Sequence, residues 1–247
     1  MKIIGLIPSR YASTRFHAQP LVDINGKSMI QRVYEQAGKS KSLSKVVVAT
    51  DHREIFEHVK GFGGLVCMTK ESHVSGTDRC YEALVQQPEK FDYVINIQGD
   101  EPFIQPAQID LLASQLNGIT EIATLVKAIK TREELFNANL VKAVFNKGHE
   151  ALYFSRSPIP HIRNTPEDVW LSKHTFYKHI GMYGYRTDIL EELTKLPVSS
   201  LEKAESLEQL RWLENGFKIT IAETLTETFG IDTPDDLKKA IEHFATS

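Results

Sequence analysis

The chain has 247 residues, 41% of them hydrophobic and 25% charged, which leaves room for one large domain, or one domain with a modest insertion. It carries no apolar run near the ~20 residues that a bilayer-spanning helix needs, and residues 1–7 are too short an apolar stretch to read as a signal peptide. The 29 basic and 32 acidic residues give a net charge of -3, so no overall positive field points to nucleic acid, and two cysteines, Cys67 and Cys80, make neither a disulfide framework nor a metal knuckle, as suits a reducing cytoplasm.

In chain order, residues 3–7 predict a buried first strand, and a turn-rich stretch follows over 8–26. Within 28–37, Met29, Ile30, Val33, Tyr34 and Ala37 fall one, three and four apart, which puts them on one face of a helix. The β-branched run 46–48 predicts a strand leading to Asp51, with a helix over 55–59 after it. Residues 65–68 predict a third strand, then a polar loop and a helix over about 77–85. Residues 93–97 predict the next strand, running into Gln98-Gly99-Asp100-Glu101-Pro102, and Pro106 suits the first turn of a further helix. The stretch from about 137 to 197 is rich in aromatics, prolines (Pro158, Pro160, Pro166, Pro197) and histidines (His149, His161, His174, His179). It predicts an insertion of irregular segments and a subunit contact. Residues 201–213 predict a helix and 219–222 a last strand. Residues 234–244 predict a closing helix, with Asp232 and Thr233 offering N-cap chemistry. This alternation is that of an α/β sheet with helices on its faces.

Three loops sit where strands end, and ligands of open α/β sheets gather beyond the carboxyl ends of strands. The first, Pro8-Ser9-Arg10-Tyr11-Ala12-Ser13-Thr14-Arg15, can cradle a phosphate chain through Arg10, Arg15, the hydroxyls and backbone N–H groups. It can equally be a solvated polar loop, and spacing does not separate the two. Gly26-Lys27-Ser28 has the ending of a Walker motif, but Leu21 stands where its first glycine belongs. The second loop, 98–102, places a carboxylate beside a glycine that permits close ligand approach. That suits Mg²⁺, and it also suits a turn capped by Asp100. Gly230-Ile231-Asp232 offers a second carboxylate far along the chain. In the third loop, 73–79, Ser75 or Thr77 reads first as a helix N-cap, a role compatible with presenting N–H groups to a ligand. The histidines have no zinc spacing, and no G-x-S-x-G elbow marks a hydrolase.

Taken together and in order, these motifs resemble the 3-deoxy-manno-octulosonate (Kdo) cytidylyltransferases, the CMP-Kdo synthetases. The matching stretches are 8–15 with Pro20-Leu21, 49–51, 73–79, 98–102, 151–156, 179–186, 206–211 and 230–234. The resemblance implies attack of the anomeric hydroxyl of Kdo on the α-phosphorus of CTP, giving CMP-Kdo for lipopolysaccharide and releasing pyrophosphate. It implies an α/β fold of the nucleotide-diphospho-sugar transferase type: a mixed, mostly parallel sheet sandwiched by helices. The whole chain, 1–247, would be one cytidylyltransferase domain, with a dimerisation and sugar-contact segment inserted at about 137–197. By the same resemblance Arg10, Asp100 and Asp232 are catalytic, and Asp100 and Asp232 hold Mg²⁺. Arg10, Ser13, Arg15, Gln19, Ser75, Gly76, Thr77 and Arg79 bind the nucleotide. Gln98, Arg156, His179, Tyr183, Glu208 and Gln209 contact the sugar, with Arg156 as partner of its carboxylate. The partners implied are CTP, Kdo and a second copy of the chain, without nucleic acid or membrane, in the cytoplasm.

One departure stands out. The family loop runs Leu/Phe-Pro-Gly/Ala-Lys-Pro-Leu, whereas residues 16–21 read Phe-His-Ala-Gln-Pro-Leu. Gln19 replaces a phosphate-contacting lysine, keeping a hydrogen-bond donor and losing a positive charge beside a polyanion. Weaker CTP binding or slower transfer follows, unless Lys27, His17 or a second Mg²⁺ compensates. Two alternatives accompany the main reading: a cytidylyltransferase for 8-amino-Kdo or another acidic sugar, and a non-catalytic nucleotide- or sugar-binding relative.

Overall fold

The computed structural model describes residues 1–11, 18–227, 230–231 and 233–245. The chain forms two compact units, one of Met1–Ala113 with Thr228–Ser247, the other of Ser114–Glu227.

The first unit is a parallel α/β layer. Its strands are β1 (Ile3–Ser9), β4 (Lys45–Thr50), β5 (Val66–Met68) and β6 (Tyr93–Asn96), and a small antiparallel hairpin joins β2 (Asp23–Ile24) to β3 (Lys27–Ser28). Its helices are α1 (Met29–Ala37), α2 (Arg53–Gly61), α3 (Gly76–Val85) and α4 (Pro106–Ser114). The parallel order is β6-β1-β4-β5. The chain therefore builds outward from β1 to β5 and then returns to the other side of β1, so the order reverses between β1 and β6. A crevice at such a reversal is where open α/β sheets bind ligands. The β-branched, apolar composition of β1, β4 and β6 accounts for their near-complete burial, since helices cover both faces of a parallel layer. The hairpin turns on Asn25 and Gly26, both at positive φ (48° and 80°), as a two-residue turn requires. Ser28 caps α1 by accepting from the Gln31 N–H at 3.3 Å.

The second unit holds β7 (Ile122–Ala128), α5 (Arg132–Phe136), β8 (Lys142–Phe145), β9 (Ala151–Ser155), α6 (Trp170–Lys173) and β10 (Tyr177–Arg186). It continues through α7 (Thr187–Leu193), α8 (Ser200–Glu205), α9 (Glu208–Glu214) and β11 (Ile219–Glu223). β7 pairs parallel with β11 and antiparallel with β10, while β8 pairs antiparallel with β10 and β9. The last helix, α10 (Pro234–Ala245), belongs to the first unit. It opens on a reciprocal cap in which Thr233 Oγ1 accepts from Asp236 N–H and Asp236 Oδ2 accepts from Thr233 N–H.

Two expectations need correction. The 137–197 stretch is not a run of irregular segments, for it supplies three paired strands, and β10 is ten residues long. Its period-two pattern is broken by a bulge between Ile180 and Tyr183, which shifts the register and hides the strand from pattern reading. The aromatics nearby form a satellite core of Ile129, Leu135, Trp170 and Phe176. The single helix expected over 201–213 is two helices, because Ser206 takes a left-handed conformation (φ 53°) and Leu207 is extended with its side chain buried. Among the described residues no helix is long and apolar enough to cross a membrane.

Candidate active site

The carboxyl ends of β1 and β6 open onto a cleft with about 820 Å³ of empty space. Pro8, Ser9 and Arg10 line it from β1 and the loop beyond, and Gln98, Gly99 and Asp100 from the loop after β6. Gly76 and Arg79 reach it from the start of α3, and Gln19 and Pro20 from the short 3-10 turn Gln19–Leu21. Gly99 is required by the close approach of the two loops: a Cβ there would lie 3.1 Å from the Pro8 carbonyl oxygen. Arg10 is exposed, and among the described residues no carboxylate pairs with it.

The cleft wall is held by a buried ion pair. Arg79, fully buried, donates from Nη2 to Asp51 Oδ2 at 2.7 Å and from Nη1 to Thr69 Oγ1 at 2.5 Å. Asp51 closes β4 and also accepts from the Tyr11 N–H at 3.4 Å. The Tyr11 ring stacks on His52 with centroids 3.7 Å apart. Asp51 thus ties the start of the first loop to α3. Ser75 caps α3 by accepting from the Asp78 N–H at 3.1 Å, while Thr77 is buried. Ser9 Oγ is a buried hydroxyl with no hydrogen-bond partner among the described residues.

On the opposite wall, the Asp100 carbonyl accepts from the Ile231 N–H at 2.9 Å, and Gln19 Nε2 donates to the Ile231 carbonyl. Ile231 is fully buried against Ile24 and Met29. Burial, with the Asp100 carboxylate beside it, pushes the Glu101 carboxyl up to about 8. Among the described residues no three His, Cys, Asp or Glu side chains gather as a metal cage. Asp100 offers a hard oxygen donor of the kind that Mg²⁺ takes.

The second unit gathers most of the sugar-contact candidates. His179 and Tyr183 flank the β10 bulge with ring centroids 5.1 Å apart, and Phe154 of β9 meets His179 edge-on at 5.2 Å. Thr124 Oγ1 donates to the Met182 carbonyl at 2.7 Å, so its lone pair accepts from His179 Nε2, 2.9 Å away. Burial holds the His179 imidazole down to about 3, hence neutral. Burial, then the Glu208 carboxylate, raises the Tyr183 phenol well above its ordinary value. The Tyr183 hydroxyl and Trp212 Nε1 are buried without a partner among the described residues, and the two rings meet edge-on at 5.0 Å. Glu208 opens α9 and lies 3.8 Å from Arg211, while Gln209 is buried. Arg156, at the end of β9, caps the end of α8: Nε donates to Glu205 O at 2.7 Å and Nη2 to Ser206 O at 3.3 Å. Its Nη1 donates to Ala138 O at 3.1 Å. A guanidinium has five N–H donors, so two remain for a ligand.

Of the residues singled out in the sequence, Arg10, Gln19, Gly76, Arg79, Gln98 and Asp100 share the cleft, with Ser75 and Thr77 at the adjoining end of α3. His179, Tyr183, Glu208 and Gln209 gather around β10 and α9, with Arg156 at the α8 terminus. Ser13, Arg15, His17 and Asp232 lie outside the described residues. Lys27 pairs with Glu35 at 2.6 Å, on the hairpin rather than in the cleft lining. The roles of Asp51, His52 and Thr124 were not read from the sequence. The position of Asp51 directly after a β-branched strand was the available signal.

Residues 4–221 match the family model described as Cytidylyltransferase. The chain is 56% identical to 3-deoxy-manno-octulosonate cytidylyltransferase of Parabacteroides distasonis, covering 99% of both chains, and 56% identical to that of Bacteroides thetaiotaomicron, covering 98% of both. A solved structure of CMP:2-keto-3-deoxy-manno-octonic acid synthetase complexed with CTP superposes with a TM-score of 0.92 at 41% identity, covering 100% of this chain and 99% of that one. A 4-diphosphocytidyl-2C-methyl-D-erythritol synthase from Anaerococcus prevotii, at 11% identity and TM-score 0.64, shares the fold. With the expected mixed, mostly parallel sheet and its flanking helices in place, the chain belongs to the 3-deoxy-manno-octulosonate cytidylyltransferase family.

Proposed function

We propose that this chain transfers the cytidylyl group of CTP to the anomeric hydroxyl of Kdo, giving CMP-Kdo, the activated sugar for lipopolysaccharide. The observation that carries the reading is the cleft at the β1/β6 reversal. There Arg10, which no carboxylate among the described residues neutralises, and the Asp100 loop line one space, in a chain of this family. The Kdo oxygen forms a bond to the α-phosphorus, and the bond from that phosphorus to the α,β-bridging oxygen breaks. Pyrophosphate leaves with the electron pair, and the hydroxyl proton is lost.

Such a transfer is mainly positioning and charge neutralisation. Arg10, with Ser13, Arg15 and Gln19, would hold the triphosphate. The capped end of α3, Ser75 to Thr77, and the anchored Arg79 would form the cytidine side. Asp100 and Asp232 would hold a divalent cation, Mg²⁺, which when bound neutralises phosphate charge and lowers the hydroxyl's pKa. Gln98 would meet the sugar from the loop after β6. Arg156 would direct its two remaining N–H groups to the sugar carboxylate. Neutral His179, the Tyr183 hydroxyl, Glu208 and Gln209 would meet the sugar hydroxyls, and the buried hydroxyl of Tyr183, without a partner among the described residues, supports that assignment. The same reading includes a homodimer in the cytoplasm with the 137–197 stretch as its contact.

Incubation with CTP, Mg²⁺ and Kdo should release pyrophosphate and form CMP-Kdo. Release with the 8-amino sugar but not with Kdo would transfer the assignment to that substrate. No release with either, despite measurable CTP binding, would leave a non-catalytic relative.

A further inference from the structure

We infer that His52 is a positioning residue for Arg10. Its ring seats Tyr11 and so fixes the backbone on which Arg10 stands in the cleft lining, and this service to the nucleotide rests on the functional reading above. Three consecutive residues, at and just beyond the end of β4, hold the chain on both sides of Arg10. Thr50 pairs with Ser9 as the last step of the β1–β4 ladder, which fixes the residue before. Asp51 Oδ1 accepts from the Tyr11 N–H at 3.4 Å, which holds the peptide joining Arg10 to Tyr11. The His52 ring lies face to face with the Tyr11 ring, centroids 3.7 Å apart and planes within 15° of parallel. Tyr11 is also tied at its carbonyl, which accepts from the Ala18 N–H at 3.2 Å. Its phenol bonds to Glu54, and that bond raises the phenol above its ordinary value.

The seat is itself fixed. The His52 N–H donates to Thr50 Oγ1 at 3.3 Å, and Nδ1 accepts from the Glu54 N–H at 3.3 Å as the N-cap of α2. The ring therefore cannot turn away from Tyr11 without giving up the cap. Arg10 has need of such support, being exposed and paired with no carboxylate among the described residues. A long side chain loses rotamer freedom when it grips an anion, and a backbone ordered in advance keeps that cost from growing. The imidazole thus does two separable jobs. Its nitrogen caps a helix, which is a matter of stability, and its face seats Tyr11, which is a matter of where Arg10 stands.

Two substitutions divide these jobs. His52→Asn keeps a capping side chain and removes the ring, whereas His52→Phe keeps a ring and removes the cap. Each is made in the parent protein and in Arg10→Ala, and read by CTP calorimetry, urea unfolding and exchange of the Tyr11 amide. His52→Asn should raise the CTP Kd about fivefold and speed Tyr11 exchange by a similar factor, with an unfolding midpoint near the parent's. His52→Phe should bind CTP within about twofold of the parent while unfolding at lower urea. In Arg10→Ala the two variants should bind CTP alike, because the ring acts through Arg10. CTP affinity that follows the stability loss, a His52→Asn protein that binds as tightly as the parent, or an effect that persists in Arg10→Ala would overturn the positioning role. Pyrophosphate release by the parent from CTP and Kdo decides the functional reading separately. A parent that binds CTP but releases none loses that reading, and the binding cycle still decides the role of His52; a parent that binds no CTP overturns both.

Discussion

Removal of the Asp51 carboxylate tests whether the cleft wall depends on the buried pair with Arg79. The Asp51 and Arg79 side chains are 8% and 1% exposed, and their 2.7 Å contact carries the whole neutralisation of the guanidinium. The other Arg79 bonds, to Thr69 Oγ1 and to the Lys70 carbonyl at 3.4 Å, satisfy N–H groups but supply no negative charge. Deleting one partner of such a pair costs about 3–5 kcal/mol, because the survivor is left charged in a poorly solvated place. Asp51→Ala should therefore lower the unfolding free energy by at least about 3 kcal/mol, a large part of the 5–15 kcal/mol typical of a domain. Urea unfolding followed by far-UV circular dichroism reads the whole fold; fluorescence alone would miss it, since Trp170 and Trp212 both lie in the second unit. The double substitution Asp51→Leu/Arg79→Met supplies the internal control. An apolar pair of similar volume should recover most of the stability, yet CTP binding should stay impaired because Arg79 lines the cleft. A loss below about 1 kcal/mol in Asp51→Ala, or a double variant no more stable than the single one, would refute the reasoning.

The buried neutral His179, faced by Thr124, Phe154 and Tyr183, should make stability fall as the pH drops. Its folded value of about 3 lies below the ordinary 6.5, so between the two the unfolded chain binds the extra proton. The slope in unfolding free energy from pH 6.5 to 5 should approach about 1.4 kcal/mol per unit and flatten in His179→Asn. Gly99→Ala puts a methyl 3.1 Å from the Pro8 carbonyl oxygen; calorimetry should show CTP affinity reduced about tenfold, with a stability loss of about 1–2 kcal/mol. Arg156→Lys loses the planar fork that spans Glu205 O, Ser206 O and Ala138 O, so steady-state kinetics should show the Kdo KM raised about tenfold or more at an unchanged CTP Kd.

What could be read in advance follows the range of the interactions. β1, β4 and β6 are short β-branched or apolar runs buried on both faces, and local pattern suffices to place them. The start of α3 at Ser75 and of α1 at Ser28 is local capping chemistry, equally legible. β10 was hidden because its bulge resets the alternation, and the break at Ser206 because its cause is remote: Arg156, fifty positions earlier, takes the carbonyls at the end of α8. The same holds in the cleft. Arg10, Gly99 and Asp100 announce themselves by standing after strands, whereas the Asp51–Arg79 pair and the Gln19–Ile231 contact join residues whose spacing carries no period.

Those long-range contacts also change what the net charge of -3 means. An active site for two anions on a mildly acidic chain needs uncompensated cations in the cleft, and not every basic residue near it qualifies. Arg79 lines the space, yet its charge is spent on Asp51. Lys27, the nearest lysine in sequence to the position where the family has one, faces Glu35 on the hairpin. A surface pair of that kind is worth at most about 1 kcal/mol, so it is the placement of Lys27 outside the cleft lining, more than the pairing, that removes it from the phosphates. Arg10 remains as the cation of the described cleft residues that no carboxylate neutralises.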